Sequence, residues 1–260
     1  MNPRKVKRDF GPIAIQDSIV SRLAVTFAPN DFSAGGLGHN MDTHFLLRIL
    51  EDQAGYNFTF VADPQIRQGE LKKYRVLMMP LNLAVGQQEA GALRRFVSEG
   101  GILIADIRPG IFNGSGKWDD SQAVPNLFGL SYQKSLGRKM VAGMLRGELF
   151  GRPIEIASGQ AFPADPAVEL KGAQALCEVE GIPLVTWNRV GKGYAVCLNI
   201  PFNYYRNYML DTQYAYFGDA THNRFIKDIL LALFSALAIE RPLQIEVGGD
   251  GQWPFWLDVA

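Results

Sequence analysis

Apolar and polar positions follow one rhythm in the first half of the chain and another in the second. Residues 22–28 (RLAVTFA) form a short apolar run of the kind that fills a strand buried on both faces, and are expected to be the first strand. A glycine-rich stretch from Ser33 to His39 follows it. Over residues 41–54 apolar side chains recur at helical spacing, with Phe45, Leu46, Ile49 and Leu50 on one face and Gly55 at the C-terminal stop. Residues 57–62 (NFTFVA), 75–80 (RVLMMP) and 102–106 (ILIAD) read as the second, third and fourth strands. Between the last two, residues 86–99 predict a helix with Ala90, Leu93, Phe96 and Val97 inward, ended by Gly100 and Gly101. Strands alternating with helices predict a mainly parallel sheet with helices on both faces.

After Gly110 helical periodicity fades and glycines and prolines recur every few residues. Short antiparallel strands are expected over residues 141–149, 153–157, 175–179, 183–189 and 194–200. Residues 219–239 restore a long helix, with Phe225, Ile229, Leu230, Leu233, Phe234 and Leu237 in one stripe, Asp219 or Thr221 as its cap, and Pro242 beyond its end. The strand at 194–200 is expected to rejoin the main sheet beneath this helix. The chain is thus read as one α/β domain, with a core of about 20–130 and 183–240 and an inserted antiparallel β region of about 138–182. Residues 243–247 (LQIEV) alternate like a half-buried strand, and residues 253–257 (WPFWL) are apolar. A segment 241–260 of this kind is expected to lead into a further domain of a longer polypeptide.

Composition narrows the function classes. Of 260 residues 47% are apolar and 20% charged, with a formal net charge of zero, which gives no electrostatic reason to expect nucleic acid or an anionic membrane. No run approaches the ~20 apolar residues of a membrane helix, and residues 1–11 lack the apolar core of a secretory signal. Cys177 and Cys197 make neither a disulfide framework nor a metal spacing, so a cytoplasmic location is expected.

Open α/β sheets bind ligands at the carboxyl ends of their strands. The polar residues expected there are Asn30 and Asp31, Asn82, Asp106 and Arg108, with His44 nearby. Asn30, His44, Asn82, Asp106 and Arg108 are candidates for a small-molecule site; the competing reading is that Asp106 and Arg108 pair with each other or cap loops. The loop 33–38 matches neither a dinucleotide fingerprint nor a P-loop, and no cofactor is expected. His39, Asp42 and His44 straddle a helix start, where Asp42 or Asn40 serves better as a cap than as a metal ligand, so no metal is expected. Both cysteines lie in apolar strand-like runs, the setting of a buried small side chain and not of a nucleophile, and the pair Asp119-Asp120 stands in a polar loop. Aromatic residues crowd the segment from Trp187 to Phe217. Trp187, Tyr204, Tyr205 and Tyr208 are candidates for an interface with another subunit, or for sugar stacking.

Several segments, taken in order, resemble one family. The runs 74–80, 87–101 (QQEAGALRRFVSEGG) and 102–110 (ILIADIRPG), followed by Gly181-Ile182-Pro183, Asn188 and Gly191-Lys192-Gly193-Tyr194, are similar to the middle domain of family-42 β-galactosidases. The resemblance spans about residues 22–239. It implies the flavodoxin-like fold of class I glutamine amidotransferases in the non-catalytic form known as the β-galactosidase trimerisation domain. An amidotransferase would carry its cysteine after the fourth strand, where this chain has Asp106-Ile107-Arg108-Pro109. Its His and Glu would follow the last strand, where Pro201-Phe202-Asn203 stand. No catalytic residue is therefore assigned. The resemblance implies partners of two kinds: further copies of the chain, as a trimer or other homo-oligomer, or neighbouring domains of a larger chain, with carbohydrate as an additional candidate.

Overall fold

The computed structural model describes residues 11–27, 43, 46–134, 137–158, 161–202 and 224–240. The chain opens with β1 (Ile13–Asp17), α1 (Ile19–Phe27) and the π-helical α2 (Arg48–Gln53). β2 (Phe58–Ala62), α3 (Asp63–Arg67), β3 (Val76–Met79), β4 (Ala84–Val85), α4 (Gln87–Ser98) and β5 (Ile102–Ala105) follow. A less regular stretch holds β6 (Phe112–Asn113), α5 (Ala123–Leu127), β7 (Leu130–Ser131) and β8 (Lys139–Val141). The β-rich part continues through β9 (Met144–Leu149), β10 (Arg152–Ala157), β11 (Phe162–Ala164), β12 (Glu169–Leu170) and β13 (Gln174–Val179). β14 (Ile182–Val190), β15 (Gly193–Leu198) and α6 (Arg224–Ala236) complete the described elements.

The expected strand over residues 22–28 is corrected by the structure: its described part belongs to α1, and the first strand is β1. Ser18 explains the switch. Its hydroxyl accepts the Ser21 N–H at 3.2 Å, which caps a helix beginning at Ile19. Ser21 lies buried on the inward side, where its own hydroxyl donates to the Ala84 carbonyl at 2.7 Å.

Nine strands form one sheet in the order β10-β9-β13-β14-β15-β5-β3-β1-β2. β2, β1, β3, β5 and β15 are parallel, whereas β14, β13, β9 and β10 continue the sheet antiparallel. The expectation of a mainly parallel sheet is corrected accordingly: the sheet is mixed, and strands of the inserted antiparallel region continue it without a break. Turn chemistry is the cause. Glu180 (φ 53) and Gly181 (φ 73) make a two-residue turn, and a strand returned by so short a turn can only pair antiparallel with its predecessor. The next turn, at Gly191 and Lys192, delivers β15 antiparallel to β14 and parallel to β5.

Two apolar layers hold the sheet. On one face Ile13, Ile15, Val76, Met78, Ile104, Val196 and Leu198 meet Leu46, Ile49 and Leu50, together with the predicted stripe of α6. The antiparallel strands wrap the same helix: Leu145 and Leu149 join this layer, and Arg152 Nη1 donates to Ser235 Oγ at 2.5 Å. On the other face Ala14, Leu77, Met79, Leu103 and Ala195 pack on Ala92, Leu93, Phe96 and Val97 of α4 and on Leu127 of α5. Gly191 and Gly193 press the β14–β15 turn onto the end of α4. A Cβ on Gly193 would lie 2.2 Å from the Gly101 oxygen and 2.3 Å from that of Val97, and one on Gly191 (φ 61) 2.5 Å from that of Ser98. Among the described residues no helix is long and apolar enough to cross a membrane.

Candidate functional site

The chain reverses its direction of growth between β1 and β3, so the carboxyl ends of the parallel strands are the place to look for a site. Asp106 follows β5 there and is 1% exposed. Its Oδ1 accepts the Leu81 N–H at 2.7 Å and its Oδ2 the Phe202 N–H at 3.1 Å. One carboxylate thus ties together the loops that close β3, β5 and β15. Leu81 is held with φ 43, a left-handed conformation that a leucine keeps only when its surroundings fix it.

Arg108, two residues on, is also left-handed (φ 53) and 1% exposed. Its Nε and Nη2 both lie 2.6 Å from Asp165 Oδ2, and its guanidinium carbon sits 5.8 Å from the Tyr132 ring centroid. Asp165 follows β11, so this buried pair fastens the β-rich part to the parallel part. Asn199 completes the fastening: its Oδ1 accepts the Asp165 N–H at 3.2 Å, while its Nδ2 donates to the carbonyls of Asp165 (2.8 Å) and Pro183 (3.1 Å). Burial pushes the Asp165 carboxyl above its usual range, against the downward pull of Arg108.

Asn82 stands beside Leu81, its carbonyl accepting the Gly110 N–H at 2.8 Å. Its side chain is fully buried, and neither amide atom has a hydrogen-bond partner. Asn82, Asp106 and Arg108 lie at the strand ends, where Asp106 and Arg108 are engaged with the protein itself and Arg108 pairs with Asp165, not with Asp106. Asn30 and His44 lie outside the described residues, as do Asp31, the glycine-rich stretch, His39 and Asp42.

A second polar cluster, which pattern alone did not single out, closes β1 and β2. Asp63 accepts Gln16 Nε2 at 2.9 Å and Ser18 Oγ at 3.1 Å, and burial raises its carboxyl despite both donors. Gln16 Oε1 is buried without a partner. Arg67 and Glu89 make a close ion pair beside this group.

The thiols offer little nucleophilic character. Burial pushes Cys197 up to about 12 and Cys177 up to about 11. Cys197 Sγ instead contacts the Asp106 carbonyl at 3.4 Å and the Tyr132 hydroxyl at 3.8 Å. Among the described residues no three His, Cys, Asp or Glu side chains gather as a metal site would require. A cleft of about 270 Å³ opens away from the strand ends, between α3 and α4, lined by Ile66, Leu71, Lys72, Arg95, Phe96 and Glu99.

Trp187 is half-buried in a ring cluster, 5.2 Å from Phe150 and 5.4 Å from Tyr194 between centroids. Phe150 itself is left-handed (φ 49) at the β9–β10 turn. Tyr204, Tyr205 and Tyr208 lie outside the described residues.

No protein-family model matches the chain, and no curated protein matches it. Its fold does match solved structures. The β-galactosidase from Bacillus circulans sp. alkalophilus superposes with a TM-score of 0.67 at 16% identity, over 94% of this chain and 34% of that one. A GH42 β-galactosidase from G. stearothermophilus gives 0.64 at 16% identity, over 92% and 31%. A cold-adapted β-galactosidase from Rahnella sp. R3 gives 0.62 at 18%, over 90% and 32%. At these identities the likeness is one of fold, and the chain spans about a third of the length of the proteins it matches.

Proposed function

We propose that this chain is a non-catalytic, class I glutamine amidotransferase-like module that mediates subunit or domain assembly in a β-galactosidase-like carbohydrate-active protein. The order of its parallel strands in the sheet, second-first-third-fourth-fifth along the chain, favours a flavodoxin-like sheet of that class. The observation that carries the reading is Asp106. It stands where the amidotransferase nucleophile would, and both its carboxylate oxygens hold backbone N–H groups of neighbouring loops. Arg108, on the same turn, serves a buried ion pair, so this corner works as a fastening and not as a reaction centre. Assembly would draw on the aromatic-rich region that begins at Trp187. The free thiols fit the same reading of a cytoplasmic protein.

The test is the solution mass of the chain by light scattering over a wide concentration range. A concentration-independent trimer, burying on the order of 1,000 Å² or more, is the expected outcome. A monomer throughout overturns self-association and leaves neighbouring domains as the partner.

Asn82 favours a second reading, a small-molecule site at the strand ends. Its buried amide offers a donor and an acceptor that the protein leaves unmatched, and a neutral hydroxylated ligand would complement both. Calorimetric titration with galactose, repeated on Asn82→Leu, decides it: saturable heat lost in the variant supports the site, and no heat in either chain removes it.

A further inference from the structure

The cleft of about 270 Å³ between α3 and α4 belongs neither to the strand ends nor to the aromatic cluster. It opens on the amino side of β3 and β5: Lys72 stands four residues before Val76, and Glu99 three before Ile102. Local sequence makes the hollow. α3 is only five residues long, Gly69 breaks it off in a left-handed conformation (φ 79), and the chain winds into one 3-10 turn, Glu70–Lys73. That turn buries Leu71 and leaves Lys72 exposed. Across from it, Ala92, Arg95, Phe96 and Glu99 recur at three- and four-residue intervals and share one side of α4. Ile66, Leu71 and Phe96 are buried and give the cleft an apolar floor.

The charges around it are unevenly matched. Lys73 is paired with Glu70 at 2.7 Å, and Arg67 is paired with Glu89. Among the described residues neither Lys72 nor Arg95 makes an ion pair, and both are exposed. Arg95 Nη1 lies 3.8 Å from where a Cβ on Gly91 would stand, so its guanidinium is laid back along α4 beside Ala92. Glu99 is the single acid among the lining residues, and two positive charges therefore face one negative charge.

We propose that this cleft binds a small organic monocarboxylate, its carboxylate between Lys72 and Arg95 and its apolar body on Ile66, Leu71 and Phe96. The guanidinium fork matches a carboxylate with two parallel N–H donors, and the lysine ammonium adds a compact charge beside it. The floor rewards an apolar body, which an inorganic anion lacks. Glu99 leaves a net charge that suits one negative charge on the ligand and opposes two. The volume lies just below the ~300–1,000 Å³ range of clefts for drug-sized molecules, so the ligand is small. This site is independent of both the assembly reading and the strand-end reading, because it shares no residue with either.

Amide NMR titration of the full 260-residue chain with benzoate, benzyl alcohol and inorganic phosphate tests this. Benzoate should shift the amides of Gly69, Leu71 and Ala92 saturably. Benzyl alcohol, which keeps the ring and lacks the charge, should bind about tenfold more weakly or worse. Phosphate, which lacks the ring, should be weaker by a similar factor. Lys72→Gln combined with Arg95→Gln should weaken benzoate about tenfold, and both side chains are exposed, so the fold is kept. Glu99→Gln removes the opposing charge and should tighten benzoate binding, a gain that partial unfolding cannot imitate. Asn82→Leu should leave benzoate binding unchanged, which separates this cleft from the strand ends. The proposal is overturned by the absence of a saturable benzoate shift, by phosphate binding as tightly as benzoate, or by unaltered affinity in the double variant. Benzoate binding lost in Asn82→Leu overturns it as well.

Discussion

Both nitrogens of Arg108 that reach Asp165 do so where water does not, the two side chains being 1% and 0% exposed. Removing one partner strands the other charge. Arg108→Met should therefore cost about 3–5 kcal/mol in urea unfolding, while Arg108→Met with Asp165→Leu should recover most of that loss. An equally damaged double variant would mean that the guanidinium matters for its packing on Tyr132 and not for its charge. Asp63 makes a different prediction. Burial raises its carboxyl, so the folded chain keeps the proton to a higher pH than the unfolded chain, which releases it near 3.8. The stability this contributes is complete below that value and is lost as pH rises through the raised one. Asp63→Asn has no proton to release. The stability difference between the two chains should thus shift in favour of Asn with rising pH, by about 1.4 kcal/mol for each unit that separates the folded and unfolded values. A difference constant from pH 3 to 7 would show that Asp63 titrates alike in both states. Asn82, Asp106 and Arg108 were legible as strand-end residues because strand ends can be read from pattern. Asp165 was not, since nothing local marks an acid that pairs with an arginine 57 residues away.

At the level of elements, the strands β2, β3 and β5 were readable because each is short, apolar and bounded by glycine or proline, whereas the two-residue β4 and the single turn of α3 are too short to leave a periodic pattern. The stripe of α6 was readable for a related reason, its apolar positions recurring at helical spacing. The start of the chain was misread because residues 22–28 carry β-branched and apolar side chains that suit either state. The Ser18 cap and the contact of Ser21 with Ala84 decide between them, and the second of these spans 63 residues. The Gly191-Lys192-Gly193 run, noticed first as a resemblance, has a steric cause: Lys192 N–H caps the Ser98 carbonyl at 3.0 Å, and only glycines let the turn come that near. Gly193→Ala should destabilise the chain by about 2–3 kcal/mol in urea unfolding. A loss below ~0.5 kcal/mol would show that the turn can retreat from α4 without harm.

At the scale of the whole molecule, the nine-stranded sheet is laid down out of sequence. β5 lies between β3 and β15, yet β15 arrives only after the four-strand ladder β10-β9-β13-β14 has been threaded, about ninety residues later in the chain. Unbroken pairing thereby becomes a schedule. The β9–β10 and β13–β14 hairpins close through short turns and can form early, whereas the β5–β15 seam must wait for a long loop to close. Refolding followed by pulse-labelled exchange should show protection in β13 and β14 before β5, and simultaneous protection would contradict that order. Until the seam closes, the edge of β5 stands bare and open to a wrong neighbour, so the feature that makes the finished sheet continuous also sets the interval in which a half-made chain is most exposed to aggregation.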